Sequence, residues 1–333
     1  MCTSLTLQSQ QQHHFLARTM DFDFELAAHP IFIPREHTFT SDLGTQYSTK
    51  YGFIGTGRNV GDNILIDGVN EHGLSGAALY LNESVYQTQP NTDTGKINLA
   101  THEVLNWLLG NLREVTELTD YLPQLNIVGI PNRLLQISVP LHWLLADRTG
   151  NCYVLEAHAE GLKLIENPVG VLTNSPEFEW HLRNLQNYTQ LQPTPHPQRI
   201  YHNLTVKDLG PGSGTLGLPG DYTSTARFIR ASFLRGFAAQ PANDLAAINT
   251  LCHILNNVDI VKGVKLMADG TEEYTQYRAY FNLETTTYYL QPYQDQTIYS
   301  LNLADYLLTA TRPLIFSIPQ QQTIQPLATP IIN

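Results

Sequence analysis

A cysteine stands second in the chain, in MCTSLTLQSQ, directly behind the initiator methionine. A small residue there favours trimming of the methionine, which would leave Cys2 at the terminus with a thiol and an α-amine on one residue. Cysteine attacks as thiolate, a small fraction of the free side chain at neutral pH. An α-amine titrates at about 7.7–8.0, close to where a general base works best. Nucleophile and base would then share one amino acid, with no separate histidine required. Such a site needs a cation beside the thiolate and a carboxylate near the ammonium, and ARTMDFDFE supplies Arg18, Asp21 and Asp23. If residues 2–9 and 14–24 form an antiparallel hairpin, residues 18–21 return to the level of residue 2. On spacing alone, an arginine and an aspartate three apart on a strand are most often a solvated pair of small worth. The reading therefore depends on the rest of the chain.

The elements that must position these groups show in period and punctuation. TSLTLQS, HHFLARTMDF, HPIFIPRE, YGFIGTG and NILIDGVN are short runs rich in β-branched and aromatic residues, and they predict strands. Residues 98–112 and 113–125 then carry apolar residues three and four apart and predict a helix pair. Residues 141–175 predict a strand meander with tight turns at RTGN and AEG. PEFEWHLRNLQNY opens with proline at a first helical turn. TSTARFIRASFLRGFAAQ, with a Ser/Thr cap ahead of it, and NDLAAINTLCHILNNV predict a second helix pair. EEYTQYRAYFNLETTTYYLQPY and QTIYSLNL follow as strands. This order suits an α+β domain of two antiparallel sheets packed together with helices outside. Residues 189–222 are too long and too rich in Pro and Gly for an ordinary connection. They either pack on a neighbouring subunit or form a surface loop.

Composition narrows the function. A chain of 333 residues, 42% hydrophobic and 15% charged, is globular with room for a sizeable core. No linker divides it, so residues 2–333 read as a single catalytic domain. A net charge of −11 with no Lys/Arg block argues against nucleic acid and against an anionic membrane. No stretch has the apolar length to span a bilayer, and residues 1–20 lack the pattern of a secretory signal; a cytoplasmic protein is expected. Cys152 and Cys252 lie in apolar periodic segments and read as structural thiols. His13–His14 and His158 have no second pair at ligand spacing, so no metal is expected. The glycines of 210–220 lack the Lys-Ser/Thr ending of a phosphate loop.

MCTSLTL, FLARTMDF, DGVNEHGLSGAALY, LHWLLADRTG, GVLTNSPEFEWHLRNLQNY, LGLPGDYTSTARFIRASF and HILNNVDIVKG follow one another over most of the chain. Together they resemble the blocks of the choloylglycine hydrolase family, which contains penicillin V acylases and conjugated bile salt hydrolases. The resemblance implies the N-terminal nucleophile hydrolase fold, a four-layer αββα sandwich, in agreement with the layer order above. It implies Cys2 as nucleophile once Met1 is lost, Arg18 steadying the thiolate and Asp21 holding the α-amine. Asn174 would lend its side-chain amide to the oxyanion hole, the Tyr80 backbone N–H would be the second donor, and Arg227 would complete the cluster. The implied reaction is hydrolysis of a small-molecule amide through an acyl-thioester, with no metal or organic cofactor. It also implies a homotetramer in which the excursion at 188–222 reaches another subunit.

Tyr80 bears on the substrate. Members resembling penicillin V acylases tend to hold tyrosine at this place, and bile salt hydrolases asparagine; RTMDF, GVNEHGL and SPEFEWH also look closer to the acylases. The expectation is therefore cleavage of the phenoxyacetyl amide of penicillin V, with Phe22 or Phe24 beside Tyr80 to stack on the flat ring. An aromatic near a core strand is more often simply core. Conjugated bile salts are the alternative, and would need loops around 24–30, 58–65 and 126–140 to shape a wider apolar groove. N-acyl homoserine lactones, with a flexible chain in the same pocket, are another. An acyltransferase, in which an amine takes the acyl group, and a non-catalytic binder are rivals of a different class. The filled cluster of Cys2, Arg18, Asp21, Asn174 and Arg227 speaks against the binder.

Overall fold

The computed structural model describes residues 1–132 and 135–327. Its frame is two facing antiparallel sheets. The six-stranded sheet runs, in spatial order, Val171–Leu172, Cys2–Gln8, His14–Phe22, Tyr274–Asn282, Thr287–Pro292 and Tyr299–Asn302. The eight-stranded sheet runs Gly161–Glu166, Cys152–His158, Leu141–Ala146, Ser75–Tyr80, Asn63–Asn70, Phe53–Asn59, His29–Ile33 and Leu314–Ile315. Helices Ser224–Phe237 and Asp244–Asn256 pack on the first sheet, and helix Val104–Asn111 packs on the second. The layers are therefore αββα, as expected. One apolar core, with Phe15, Leu16, Ile54 and Val69, fills the space between the sheets and extends beneath helices Ser224–Phe237 and Asp244–Asn256. Another, with Trp107, Leu108 and Trp143, lies under Val104–Asn111.

The first hairpin pairs Cys2 with Met20 and Ser4 with Arg18. His14–Phe22 is buried almost throughout, because helices cover one of its faces and the second sheet the other. Alternation along a strand puts Arg18 and Met20 on one face and Thr19 and Asp21 on the other. Thr223 caps helix Ser224–Phe237, its hydroxyl accepting from Ala226 N–H at 3.3 Å, which satisfies one of the donors left open in a first turn.

Two predicted elements change. Ile97–Ala100 is a strand, and the helix expected over 98–112 is confined to Val104–Asn111 after a short turn at Thr101–Glu103. The helix expected over 113–125 reduces to turns at Val115–Glu117 and Leu118–Tyr121. Pro123 cannot donate to continue it, and Leu125–Val128 pairs in parallel with Ile97–Ala100. The 189–222 excursion carries an exposed hairpin, Arg199–Tyr201 against Leu204–Val206. Among the described residues, no helix is long and apolar enough to cross a membrane.

Candidate active site

Cys2 is buried at the head of an interior strand. Its Sγ accepts from Arg18 Nη2 at 2.8 Å and lies 3.5 Å from Met20 Sδ. Arg18, fully buried, also donates to Thr19 O at 3.0 Å, to the Asp67 carboxylate at 3.1 Å, to Met20 Sδ at 3.0 Å, and more weakly to the Ala78 and Ile66 carbonyls at 3.4 and 3.5 Å. Asp67 comes from the opposite sheet and also accepts from Tyr277 Oη at 2.5 Å and Thr56 N–H at 3.0 Å. Burial works against the Arg18 charge, but Cys2, Tyr277 and Asp67 outweigh it and raise the guanidinium above its ordinary value. The cation is therefore permanent and aimed at the thiol.

Asp21, three residues further, faces the helix layer. Its carboxylate accepts from Thr275 Oγ1 at 2.6 Å and Thr19 Oγ1 at 3.1 Å, and lies 4.0 Å from Arg227 Nη1. It was expected to hold the α-amine; with Met1 attached, the terminal ammonium instead reaches the Asp21 backbone carbonyl and Glu273 Oε1, each at 2.5 Å. The Cys2 amide N–H donates to Asn174 Oδ1 at 2.7 Å. Arg227 Nη2 donates to the same oxygen at 2.8 Å, and Arg227 Nη1 reaches Cys2 O at 2.5 Å and Thr3 Oγ1 at 2.7 Å. Burial lowers the Arg227 pKa, against the pull of Asp21, Cys2 and Glu273.

Asn174 turns its Nδ2 to the Tyr80 carbonyl at 2.8 Å. The Tyr80 carbonyl thereby ties Asn174 to the end of strand Ser75–Tyr80. All five residues of the expected polar cluster lie within one buried network. The two proposed wall aromatics separate: Phe22 lines the cleft that opens on Cys2, whereas Phe24 is 40% exposed and does not line it. The strand ends at Phe22, so Phe24 escapes its alternation and is held by its carbonyl, which accepts from Gln276 Nε2 at 2.7 Å. His13 and His14 each pair with a carboxylate, Asp244 and Glu284, at 2.8 Å, and so have structural partners.

Sequence reasoning missed Asp67, Tyr277 and Glu273. Asp67 left a signal: a carboxylate inside the apolar strand NILIDGVN needs a buried partner. Nothing local points to Tyr277 or Glu273, which reach the site from near the other end of the chain.

The two facing sheets, with a buried cysteine at the start of the first strand, define an N-terminal nucleophile hydrolase fold. The model of the family described as linear amide C–N hydrolases, choloylglycine hydrolase family, matches residues 2–316. The chain belongs to that family and is an amide C–N hydrolase. It is 35% identical over 306 residues to a bile salt hydrolase/transferase of Clostridium perfringens, covering 91% of this chain and 92% of that one. A solved mutant of the conjugated bile acid hydrolase from Clostridium perfringens superposes with a TM-score of 0.90 at 32% identity, over 98% of this chain and 100% of that one. A penicillin V acylase of Pectobacterium atrosepticum is more distant, 24% identical over 311 residues, 86% of this chain and 76% of that one.

Proposed function

We propose that this chain hydrolyses the amide of conjugated bile salts. The observation that carries the reading is the apolar cleft beside Cys2, which is walled by residues of three separate segments. Leu26 and Ala28, Arg58, Val60 and Ile64, and Asn132, Leu135 and Val139 all line it. These come from the three segments that a wider groove was expected to need, and the remaining wall mixes aliphatic Leu65, Ile66, Leu105 and Leu141 with Phe22, Tyr80 and Trp143. The likeness to bile salt hydrolases supports the same choice, ahead of the penicillin V reading that Tyr80 favours.

In the reaction the Cys2 thiolate adds to the amide carbonyl with Arg18 as its counter-ion. The oxyanion takes hydrogen bonds from Asn174 Nδ2, whose second hydrogen is not used by Tyr80, and from the Tyr80 N–H. The α-ammonium of Met1-processed Cys2 gives its proton to the leaving nitrogen as the C–N bond breaks, leaving an acyl-thioester. Water then attacks, the α-amine takes its proton, and the carboxylic acid departs as the thiolate is restored.

Two side readings have specific support. Phe22 and Tyr80 both line the cleft, which suits a phenoxyacetyl ring. The Clostridium perfringens relative is named both hydrolase and transferase, which suits acyl transfer to an amine. The deciding assay compares release from penicillin V, glycine- and taurine-conjugated bile salts and an acyl homoserine lactone, on protein whose mass confirms loss of Met1. Dominant release of glycine or taurine is expected; dominant 6-aminopenicillanic acid would overturn the choice. We also propose a homotetramer assembled through the excursion, because Ile200, Tyr201 and Leu204 are each at least 60% exposed on its hairpin. A monodisperse tetramer after deletion of 190–215 would sink that proposal.

A further inference from the structure

Asn174 lies two residues beyond the edge strand Val171–Leu172, on a segment with no ladder of its own. Its backbone is nevertheless gripped at several points. The Asn174 N–H donates to Ser224 Oγ at 2.8 Å, and its carbonyl accepts from His181 Nε2 at 2.7 Å. The preceding Thr173 carbonyl accepts from His142 Nε2 at 3.0 Å, and His142 Nδ1 meets Glu156 Oε1 at 2.9 Å. Glu156 Oε1 also accepts from the Phe178 N–H at 3.0 Å, which opens helix Phe178–Asn184, and its Oε2 meets His158 Nε2 at 3.1 Å. His142, Glu156 and His181 are fully buried. The first two belong to the eight-stranded sheet, which holds Thr173 from the side opposite Cys2, while Ser224 and His181 hold Asn174 itself from helices.

His142 bridges a backbone carbonyl and a carboxylate, and so ties the Thr173 backbone to Glu156. His181 needs one proton, on Nε2, and its buried Nδ1 has no hydrogen-bond partner among the described residues.

We infer that His142, Glu156 and His181 are positioning residues that hold the Asn174 carboxamide in place for the oxyanion, with His142 clamped between Glu156 and the Thr173 carbonyl. The inference rests on the oxyanion role proposed for Asn174. Burial opposes the Glu156 charge, yet the His142 hydrogen bond and charge, the Phe178 N–H and His158 outweigh it and hold the carboxyl below its ordinary range. Burial lowers His181 to about 4, so it stays neutral at working pH. The groups facing His142 are Glu156 with His158 beyond it, and His181 with Arg227 beyond it.

The test uses Met1-processed protein and whichever amide it cleaves best, with alkylation of Cys2 by iodoacetamide as a thiol probe that needs no oxyanion hole. His181→Phe removes the donor to Asn174 O. It should lower kcat by about 10- to 100-fold, short of the roughly 10²–10³ for loss of an oxyanion donor itself, with KM and the alkylation rate within about threefold of wild type. His181→Gln, which keeps a donor at similar reach, should bring kcat back to within about threefold. Glu156→Gln, which weakens the hold on His142 and on the Phe178 N–H, should likewise lower kcat by about tenfold with KM and the alkylation rate within about threefold of wild type. Wild-type kcat in His181→Phe, alkylation falling in step with kcat, no rescue by His181→Gln, or wild-type kcat in Glu156→Gln would each overturn the clamp. Asn174→Ala is measured alongside. If it keeps wild-type kcat, the role of Asn174 falls and the clamp with it; if it is impaired while His181→Phe is not, the clamp alone falls.

Discussion

Asp67→Asn isolates the charge that lets Arg18 remain buried beside the nucleophile. Arg18 and Asp67 have no side-chain exposure and meet at 3.1 Å. The substitution is nearly isosteric and can keep the Thr56 N–H bond, now 3.0 Å from Oδ1. What it removes is the countercharge. Breaking a buried pair by deleting one partner costs about 3–5 kcal/mol, since an uncompensated charge remains in a medium that solvates it poorly. For 333 residues, at about 2 cal/mol/K of unfolding entropy each, that is a fall in Tm of roughly 4–7 °C. Urea unfolding followed by tryptophan fluorescence gives the free energy directly. The double variant Arg18→Met/Asp67→Asn should recover most of the loss while remaining inactive, because no unpaired charge is left buried and the amide oxygen can still accept from the Thr56 N–H. An Asp67→Asn protein within about 1 kcal/mol of wild type would refute the reasoning and mean that the pair is screened or relaxed in solution.

Cys2→Ala should be folded and wholly inactive, and turnover by it in the release assay would end the Cys2 mechanism. Val139→Trp should narrow the cleft and lower kcat/KM for a conjugated bile salt by about tenfold or more relative to penicillin V; equal losses on the two would count against a wide acyl site. His181 has a folded pKa of about 4, below its ordinary 6.5, so the unfolded chain binds the extra proton first. Its contribution is full above pH 6.5 and is lost as pH falls through 4, by about 3 kcal/mol at most. His181→Gln should flatten this part of the acid unfolding curve, and an unchanged slope would show that His181 is already solvated.

What was legible in the sequence follows the reach of local pattern. The first hairpin was readable because both strands carry strand-type runs with a polar break at QSQQQHH, and the Cys2–Met20 register follows from that break. Asn174 and Arg227 were legible only through their blocks; no period brings residues 50 apart in sequence onto one carboxamide oxygen. The opposite faces of Arg18 and Asp21 follow from their odd spacing, which turns one toward the thiol and the other toward the helix layer. Phe24 failed because alternation stops where the strand stops. The predicted helix at 113–125 failed for a different reason: a helical period of apolar residues also fits turns that bury Val115 and Leu118 before a strand.

The buried charges around Cys2 also indicate what removal of Met1 changes. Arg18 faces Asp67 at 3.1 Å, and Arg227 faces Asp21 at 4.0 Å, so each guanidinium already has a carboxylate. While Met1 is attached, Cys2 N is an uncharged amide, and the terminal ammonium lies one residue outward, paired with Glu273 at 2.5 Å. Glu273 does not depend on it, because Lys265 holds its other oxygen at 2.8 Å. Excision therefore leaves no orphaned carboxylate, yet it creates an ammonium on the residue that bears the thiol, with Asn174 Oδ1 already 2.7 Å from that nitrogen. The new cation serves the thiolate, and the base required for proton transfer comes into being in the same step. Protein processed to Cys2 should accordingly react with iodoacetamide faster than protein that keeps Met1, and only the processed form should turn over amide. Equal alkylation rates, with the state of each sample fixed by intact mass, would show that Arg18 alone activates the thiol and that the α-amine serves the leaving group only.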